Sequence, residues 1–385
     1  MAKQKYLSAL ALVLFLTACA SEPKVEKPTL TKTDFTKLPG WDSDNLVDAI
    51  PALVKSCAVI TKKAPDAKLG VAGTKADWSA ACADLAMLPP RNNDAARDFL
   101  THWFQPYAVT GKDGGEGLFT GYYEPQLRGS FKKTASFQTP LYPRPDDLIG
   151  VDLGEFKSDL HGQRIVGKVE GSNLKPYDTR AEISNGSLDK RAKPLLWVDD
   201  PVDAFFLEVQ GSGDVKMTDG SVTHVGYDGA NGRAYVAIGR AMADQSLIEK
   251  PVTMQSIRAW LNNNPDRAQE IMDINGSYVF FRKLEDGTGP VGAEGVSLTP
   301  QRSLAVDPAF IPLGTPLWLD TQDSKGNALQ SLMVAQDTGG AIKGAVRGDV
   351  FWGAGDEAAA QAGAMQSKGH YYVLLPQGVS VDGDE

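Results

Sequence analysis

The sequence predicts a mainly β protein with a helical part toward its N-terminal end. Between residues 44 and 104 apolar side chains recur at helical spacing. After Gly111 the texture changes to short apolar runs broken by Gly, Pro, Asn and Asp, as a chain of strands and turns requires. Further apolar runs close to the C-terminus add strands there.

In the helical part, Leu46, Ile50, Leu53, Val54 and Cys57 share one stripe, and 78–88 and 94–104 repeat the spacing. Strands are expected at 117–123, 195–198, 204–209, 235–238 and 277–281, then at 317–319, 331–335 and 371–375. An Ala-rich helix is expected between Asp356 and Lys368, ended by Gly369.

The chain begins with an export signal: Lys3 and Lys5 precede an apolar run over 7–18. These 12 residues are fewer than the roughly 20 that a helix needs to cross a bilayer. The run ends in Leu16-Thr17-Ala18-Cys19, which resembles the lipobox of bacterial lipoproteins. That resemblance implies a signal peptide at 1–18 and a lipid anchor on Cys19. Ala20 is not the Asp that retains many such proteins at the inner membrane, so the expected location is the periplasmic face of the outer membrane. Residues 19–40, rich in Lys, Thr and Pro, are expected to form a flexible tether.

Beyond the leader, roughly 365 residues remain, more than the usual length of about 150 for one domain, so two domains are expected. A composition of 42% hydrophobic and 23% charged residues supports a substantial core. The net charge of −9 argues against nucleic acid, whose phosphates demand Lys and Arg. Cys57 and Cys82 are the cysteines left in an oxidising compartment, and a disulfide between them is expected, with two buried free thiols as the alternative. No metal and no cofactor are expected, because His102, His161, His224 and His370 are scattered. Gly287-Thr288-Gly289-Pro290-Val291-Gly292 matches a dinucleotide-binding pattern by letters only. It does not abut an expected strand and no helix follows, so it reads as a loop.

Chemistry concentrates near the C-terminus. Ala305-Val306-Asp307-Pro308 is followed by Ile311-Pro312-Leu313-Gly314-Thr315, by 334–344 with its Asp337-Thr338-Gly339-Gly340, and by Arg347-Gly348-Asp349-Val350-Phe351-Trp352-Gly353. Strand-end carboxylates beside Gly-rich turns suit acid/base work, since Gly lets a long substrate approach the backbone. Any one such Asp taken alone reads more readily as a turn cap or an acceptor of backbone N–H bonds.

This constellation resembles the three-aspartate domain of the membrane-bound lytic transglycosylase A family. Other blocks look like that family in the same order: Phe119-Thr120-Gly121-Tyr122-Tyr123-Glu124-Pro125, the run 206–213, Gly226-Tyr227, Asn231-Gly232-Arg233-Ala234-Tyr235, and the run 277–281. The resemblance implies a double-psi β-barrel domain, 41–120 and 284–385 together with the helical part, and a second β-barrel domain inserted at 121–283. It implies a peptidoglycan lytic exotransglycosylase that uses Asp349 as general acid and then base, supported by Asp337 and Asp307. Asp349 must then carry a raised pKa, through partial burial or a neighbouring carboxylate. The glycan strand would lie between the domains. Tyr122, Tyr123, Trp197, Tyr227 and Trp352 are candidates to stack on sugars, against the commoner role of aromatic core. Glu124, Gln210 and Ser212 are candidates to hydrogen-bond the glycan, against turn stabilisation. Expected partners are peptidoglycan glycan strands, the membrane through the lipid anchor, and complexes of cell-wall synthesis or division. A two-carboxylate glycan hydrolase and a non-catalytic glycan-binding lipoprotein are the alternatives.

Overall fold

The computed structural model describes residues 27–160, 162–285 and 289–381. The expected signal peptide, Cys19, His161 and part of the glycine run at 287–292 lie outside them.

Thr29–Lys32 forms strand β1, antiparallel to Tyr107–Thr110 in the register Thr29 to Thr110 and Lys32 to Tyr107. Leu30, Leu38 and Trp41 are buried, and the Trp318 indole donates to Pro39 O at 3.0 Å. The tether expected over 19–40 is corrected accordingly: 29–40 belongs to the edge of the folded domain, because its few apolar residues are spaced to enter the core.

Three helices follow: α1 (Ile50–Ile60), α2 (Lys75–Leu85) and α3 (Asn93–Trp103). A capping box starts α2, with Thr74 N donating to Asp77 Oδ2 at 2.7 Å, and the Asn92 side chain caps α3 by accepting from Ala95 N at 3.0 Å. Cys57 and Cys82 are joined in a disulfide that ties α1 to α2. At Phe104 the backbone turns extended, and the chain enters β2 (Phe104–Thr110) and then β3 (Gly117–Glu124).

The chain then crosses into the insert at Pro125, slightly later than Gly121. Its elements are β4 (Gln126–Ser130), β5 (Thr139–Leu141), β6 (Ile149–Asp152), β7 (Arg164–Glu170), β8 (Asn173–Pro176), α4 (Arg180–Ser184), β9 (Leu196–Val198), α5 (Pro201–Gln210), β10 (Ser212–Met217), β11 (Val222–Ala230), α6 (Ile238–Asp244), α7 (Met254–Asn263), α8 (Pro265–Asp273) and β12 (Val279–Lys283). Six strands pair in the order β12-β11-β10-β4-β9-β5, and Phe281 N donates to Tyr142 O at 2.9 Å, bringing the two edges together. β6, β7 and β8 make a separate small sheet.

Two expected strands in the insert are not strands. The run 204–209 lies in α5, whose start is capped by Asp200 with Pro201 in the first turn, and whose end is Gly211 at φ +84°. Ala204 and Leu207 pack on the insert's sheet while Phe205 and Phe206 pack on α6 to α8. A helix buried on two sides has no polar face, so its sequence lacks helical alternation. The run 235–238 is irregular up to Ile238, which opens α6.

The chain returns through β13 (Ser303–Ala305), β14 (Pro316–Gln322), β15 (Ala328–Asp337), β16 (Arg347–Ala354), α9 (Asp356–Ala364) and β17 (Gln366–Pro376). The last helix ends at Ala364, earlier than expected, and Gly369 lies inside β17. β17 pairs with β3 through Gln366–Gly369, with β14 through 370–373 and with β2 through 372–376. The ring β17-β14-β15-β13-β16-β3 thereby closes into a six-stranded barrel, extended outward by β2 and β1. Its interior holds Phe119, Leu304, Leu317, Leu319, Met333, Val350 and Val373, all fully buried, while Leu332 and Val334 lie with Trp318 on the face turned to the helical part.

Candidate active site

β16 lies between β3, parallel, and β13, antiparallel, so Asp349 is level with Thr120 on one side and Ala305 on the other. Across β13, a register shift at Ala305 sets that same residue against Asp337, the last residue of β15. Asp349 and Asp337 therefore emerge at one end of the barrel, astride a single strand. Asp307 follows two residues after β13.

The three carboxylates are bound differently. Asp337 Oδ1 accepts from Ala293 N and Thr338 N, both at 2.9 Å, and its Oδ2 accepts from the Tyr122 hydroxyl at 2.9 Å. Asp307 accepts from Ala309 N at 3.2 Å and Gly344 N at 2.9 Å, with Lys343 Nζ at 4.0 Å, and so ties the loop after β13 to the loop before β16. Asp349 Oδ1 accepts from Thr120 Oγ1 at 2.7 Å, while its Oδ2 has no hydrogen-bond donor among the described residues.

Electrostatics separate them further. Burial pushes the Asp349 carboxyl up from 3.8 to about 6; Arg347 and the Thr120 hydroxyl oppose this, and Asp337 adds to it. Asp349 is nonetheless partly accessible, so it is surrounded by protein and still reachable from solvent. Burial also raises Asp337, against its three hydrogen bonds. Burial first, and then the Asp337 charge, holds the Tyr122 phenol well above its ordinary value. Arg347 donates to Thr120 Oγ1 at 2.8 Å and to Leu118 O at 3.2 Å, which fixes its charge beside Asp349.

The insert reaches this point through Tyr235. Burial raises its phenol and the Asp349 charge raises it further, while its Cβ lies 3.9 Å from where a Cβ on Gly340 would sit. A cavity of about 940 Å³ lies on the helical face, lined by Val47, Pro51, Leu88, Arg91 and Pro300 among others; none of the three aspartates lines it.

Several residues expected on the glycan make contacts within the protein. Tyr122 holds Asp337, with its ring 5.2 Å from that of Phe351. Tyr123 is buried against Arg258, and the Gln210 carbonyl accepts from Tyr123 N at 3.0 Å; both join the insert to β3. Trp352 is buried with its indole nitrogen above Gly121, as core. Trp197 lies under Lys133, whose Nζ is 5.0 Å from the ring. Ser212 opens β10 opposite Gly226 and is half-buried. Tyr227 is 55% exposed, beside the charges of Arg164 and Arg144, and keeps a ring free for a ligand.

Glu124 stands in a cluster of its own. It is buried and faces Asp214 and His224, with one ligand atom of each residue lying within 4.8 Å of the others. Burial, reinforced by the Asp214 charge and opposed by His224, pushes its carboxyl up to about 7. The scatter of histidines in the sequence concealed this grouping. Thr120, Arg347 and Tyr235 are site residues that sequence reasoning missed, although all three stand inside the quoted blocks; only strand pairing and the return of the insert give them a role.

Residues 118–282 match the family model described as the MltA specific insert domain, and 302–375 match the 3D domain. The chain is 30% identical over 274 residues to the membrane-bound lytic murein transglycosylase A of Vibrio cholerae, covering 69% of this chain and 67% of that protein. The crystal structure of MltA from Neisseria gonorrhoeae superposes with a TM-score of 0.74 at 34% identity, over 91% of this chain and 92% of that one. Escherichia coli MltA with bound chitohexaose gives a TM-score of 0.66 at 26% identity, over 92% of this chain and 97% of that one.

Proposed function

The chain belongs to the membrane-bound lytic murein transglycosylase A family, peptidoglycan-cleaving lyases, and from that premise we propose that it cuts the MurNAc-GlcNAc β-1,4 bond with Asp349 as its only acid/base. One observation carries this reading: of the three aspartates, Asp349 alone keeps an oxygen without a donor among the described residues, and its carboxyl is raised to about 6. Asp337 and Asp307 already spend both oxygens on donors.

A hydrolase would need a second carboxylate to activate water or attack the sugar. Neither committed aspartate suits that task. A transglycosylase needs none, because the C6 hydroxyl of the muramic acid attacks its own anomeric carbon. Protonated Asp349 gives its proton to the glycosidic oxygen as the bond to the leaving sugar breaks. The resulting carboxylate then takes the C6 hydroxyl proton as the 1,6-anhydro ring closes. The nucleophile is held intramolecularly, which supplies the entropic advantage that an enzyme otherwise builds with a bound water.

Thr120 and Arg347 orient Asp349, Asp337 and Tyr122 form a fixed wall beside it, and Tyr235 and Tyr227 offer sugar-facing rings from the insert. The bound chitohexaose of the E. coli relative supports a β-linked glycan as the ligand of this site. Acylation of Cys19 would hold the enzyme at the outer membrane, facing the wall; no described helix is long and apolar enough to cross a membrane.

The test is the mass of the products from purified sacculi. Muropeptides one water lighter than hydrolytic products, without new reducing ends, are expected; reducing ends would replace this mechanism with hydrolysis.

A further inference from the structure

We propose that Glu124, Asp214 and His224 form a divalent-cation site, matched to Zn²⁺, at the seam where β3 hands the chain to the insert. Asp214 on β10 and His224 on β11 are direct cross-strand partners, so their side chains leave the same face of the sheet, and His224 Nδ1 lies 2.5 Å from Asp214 Oδ1. Glu124 approaches from the end of β3, and one donor atom from each residue lies within 4.8 Å of the other two.

The independent sign of a ligand is Glu124. It is only 7% exposed, yet its carboxylate makes no hydrogen bond among the described residues and points at another carboxylate and an imidazole. A buried carboxylate without a donor is costly, and the neighbouring Asp214 carboxylate, already bonded to His224, offers it none. A cation held by all three side chains removes that penalty.

The donor set selects the metal class. Zn²⁺ takes imidazole nitrogen and carboxylate oxygen at about 2.0–2.2 Å, with a water in a fourth position when the protein supplies three ligands. Tetrahedral donors then stand about 3.3 Å apart, a spacing these side chains reach by small rotations. Ca²⁺ and Mg²⁺ prefer six or more oxygens and do not fit one imidazole and two carboxylates.

The cation would clamp three strands of two domains. Glu124 is paired through Ala354 to β16, the strand that carries Asp349, and follows Tyr122 by two residues. The clamp therefore sets the angle between the barrel and the insert.

Zn²⁺ titration of the untagged, metal-free full-length chain in detergent, against a chromophoric chelator and with calorimetric melting, tests this. One Zn²⁺ per chain and a higher Tm in Zn²⁺ but not in Mg²⁺ are expected. His224→Gln and Glu124→Gln should each weaken binding at least tenfold and abolish the Tm rise. Absence of uptake by the wild-type chain, or uptake unchanged in both variants, overturns the site. Should the variants not fold, X-ray absorption of the Zn²⁺-loaded wild type decides: one imidazole with oxygen ligands supports the site, and several imidazoles or sulfur ligands refute it.

Discussion

The Thr120 hydroxyl donates to Asp349 Oδ1 at 2.7 Å while accepting from Arg347 Nη2 at 2.8 Å, so it couples the carboxyl to the guanidinium that restrains its pKa. That donation favours the ionised carboxylate. Thr120→Val keeps the shape and deletes the donor. In kcat/KM against pH, the wild type should lose activity above about pH 6 as Asp349 ionises, tenfold per unit. The variant's limb should move to higher pH by roughly one unit. An unmoved limb would remove Thr120 from the site.

Asp349→Asn should lower kcat/KM by about 10²–10⁴ and leave the fold intact. Its effect on stability has a definite sign. Folding raises the Asp349 pKa, so the wild type is favoured below pH 3.8 and progressively loses that contribution as pH rises to about 6. The amide never ionises. The variant should therefore gain stability relative to wild type on going from pH 4 to pH 8, on the order of 1 kcal/mol given the partial solvent access. Tm measured at both pH values checks it; a variant Tm that falls relative to that of the wild type between pH 4 and pH 8 contradicts the buried-acid account.

Replacing Cys57 and Cys82 together by Ala should destabilise the helical part. The bridge spans 25 residues, and closing a loop of that length in the unfolded chain stabilises by about 3 kcal/mol. Chemical denaturation of the double variant against the oxidised wild type gives the measurement. Activity at low temperature should persist, because neither cysteine touches the aspartates.

Gly117→Ala should be far more damaging than its size suggests. A Cβ there would stand 1.8 Å from Val346 O, where β3 runs beside the residue preceding β16. The strands would have to part next to Arg347 and Asp349. A loss of about 1–3 kcal/mol, with reduced activity in whatever protein folds, is expected from proteolysis and turnover assays.

The helical part and most barrel strands are legible in the sequence because each keeps a regular period with clear ends. Asp349 and Asp337 are legible as well, since the Gly-rich blocks around them mark strand ends. Thr120 and Arg347 are not, because their meeting depends on pairing β3 with β16 across 229 residues, which no local pattern encodes. α5 was hidden differently: with Ala204 and Leu207 on one core and Phe205 and Phe206 on another, its apolar run imitates a strand, and only Asp200-Pro201 and Gly211 betray its ends. The cluster of Glu124, Asp214 and His224 is a product of topology alone.

β17 joins three partners within a single run of eleven residues, and it is the last strand among the described residues. Both neighbours of β3, namely β16 and β17, lie more than 200 residues further along the chain. The end of the cylinder that carries Asp349 therefore cannot close around β3 until 366–376 is in place.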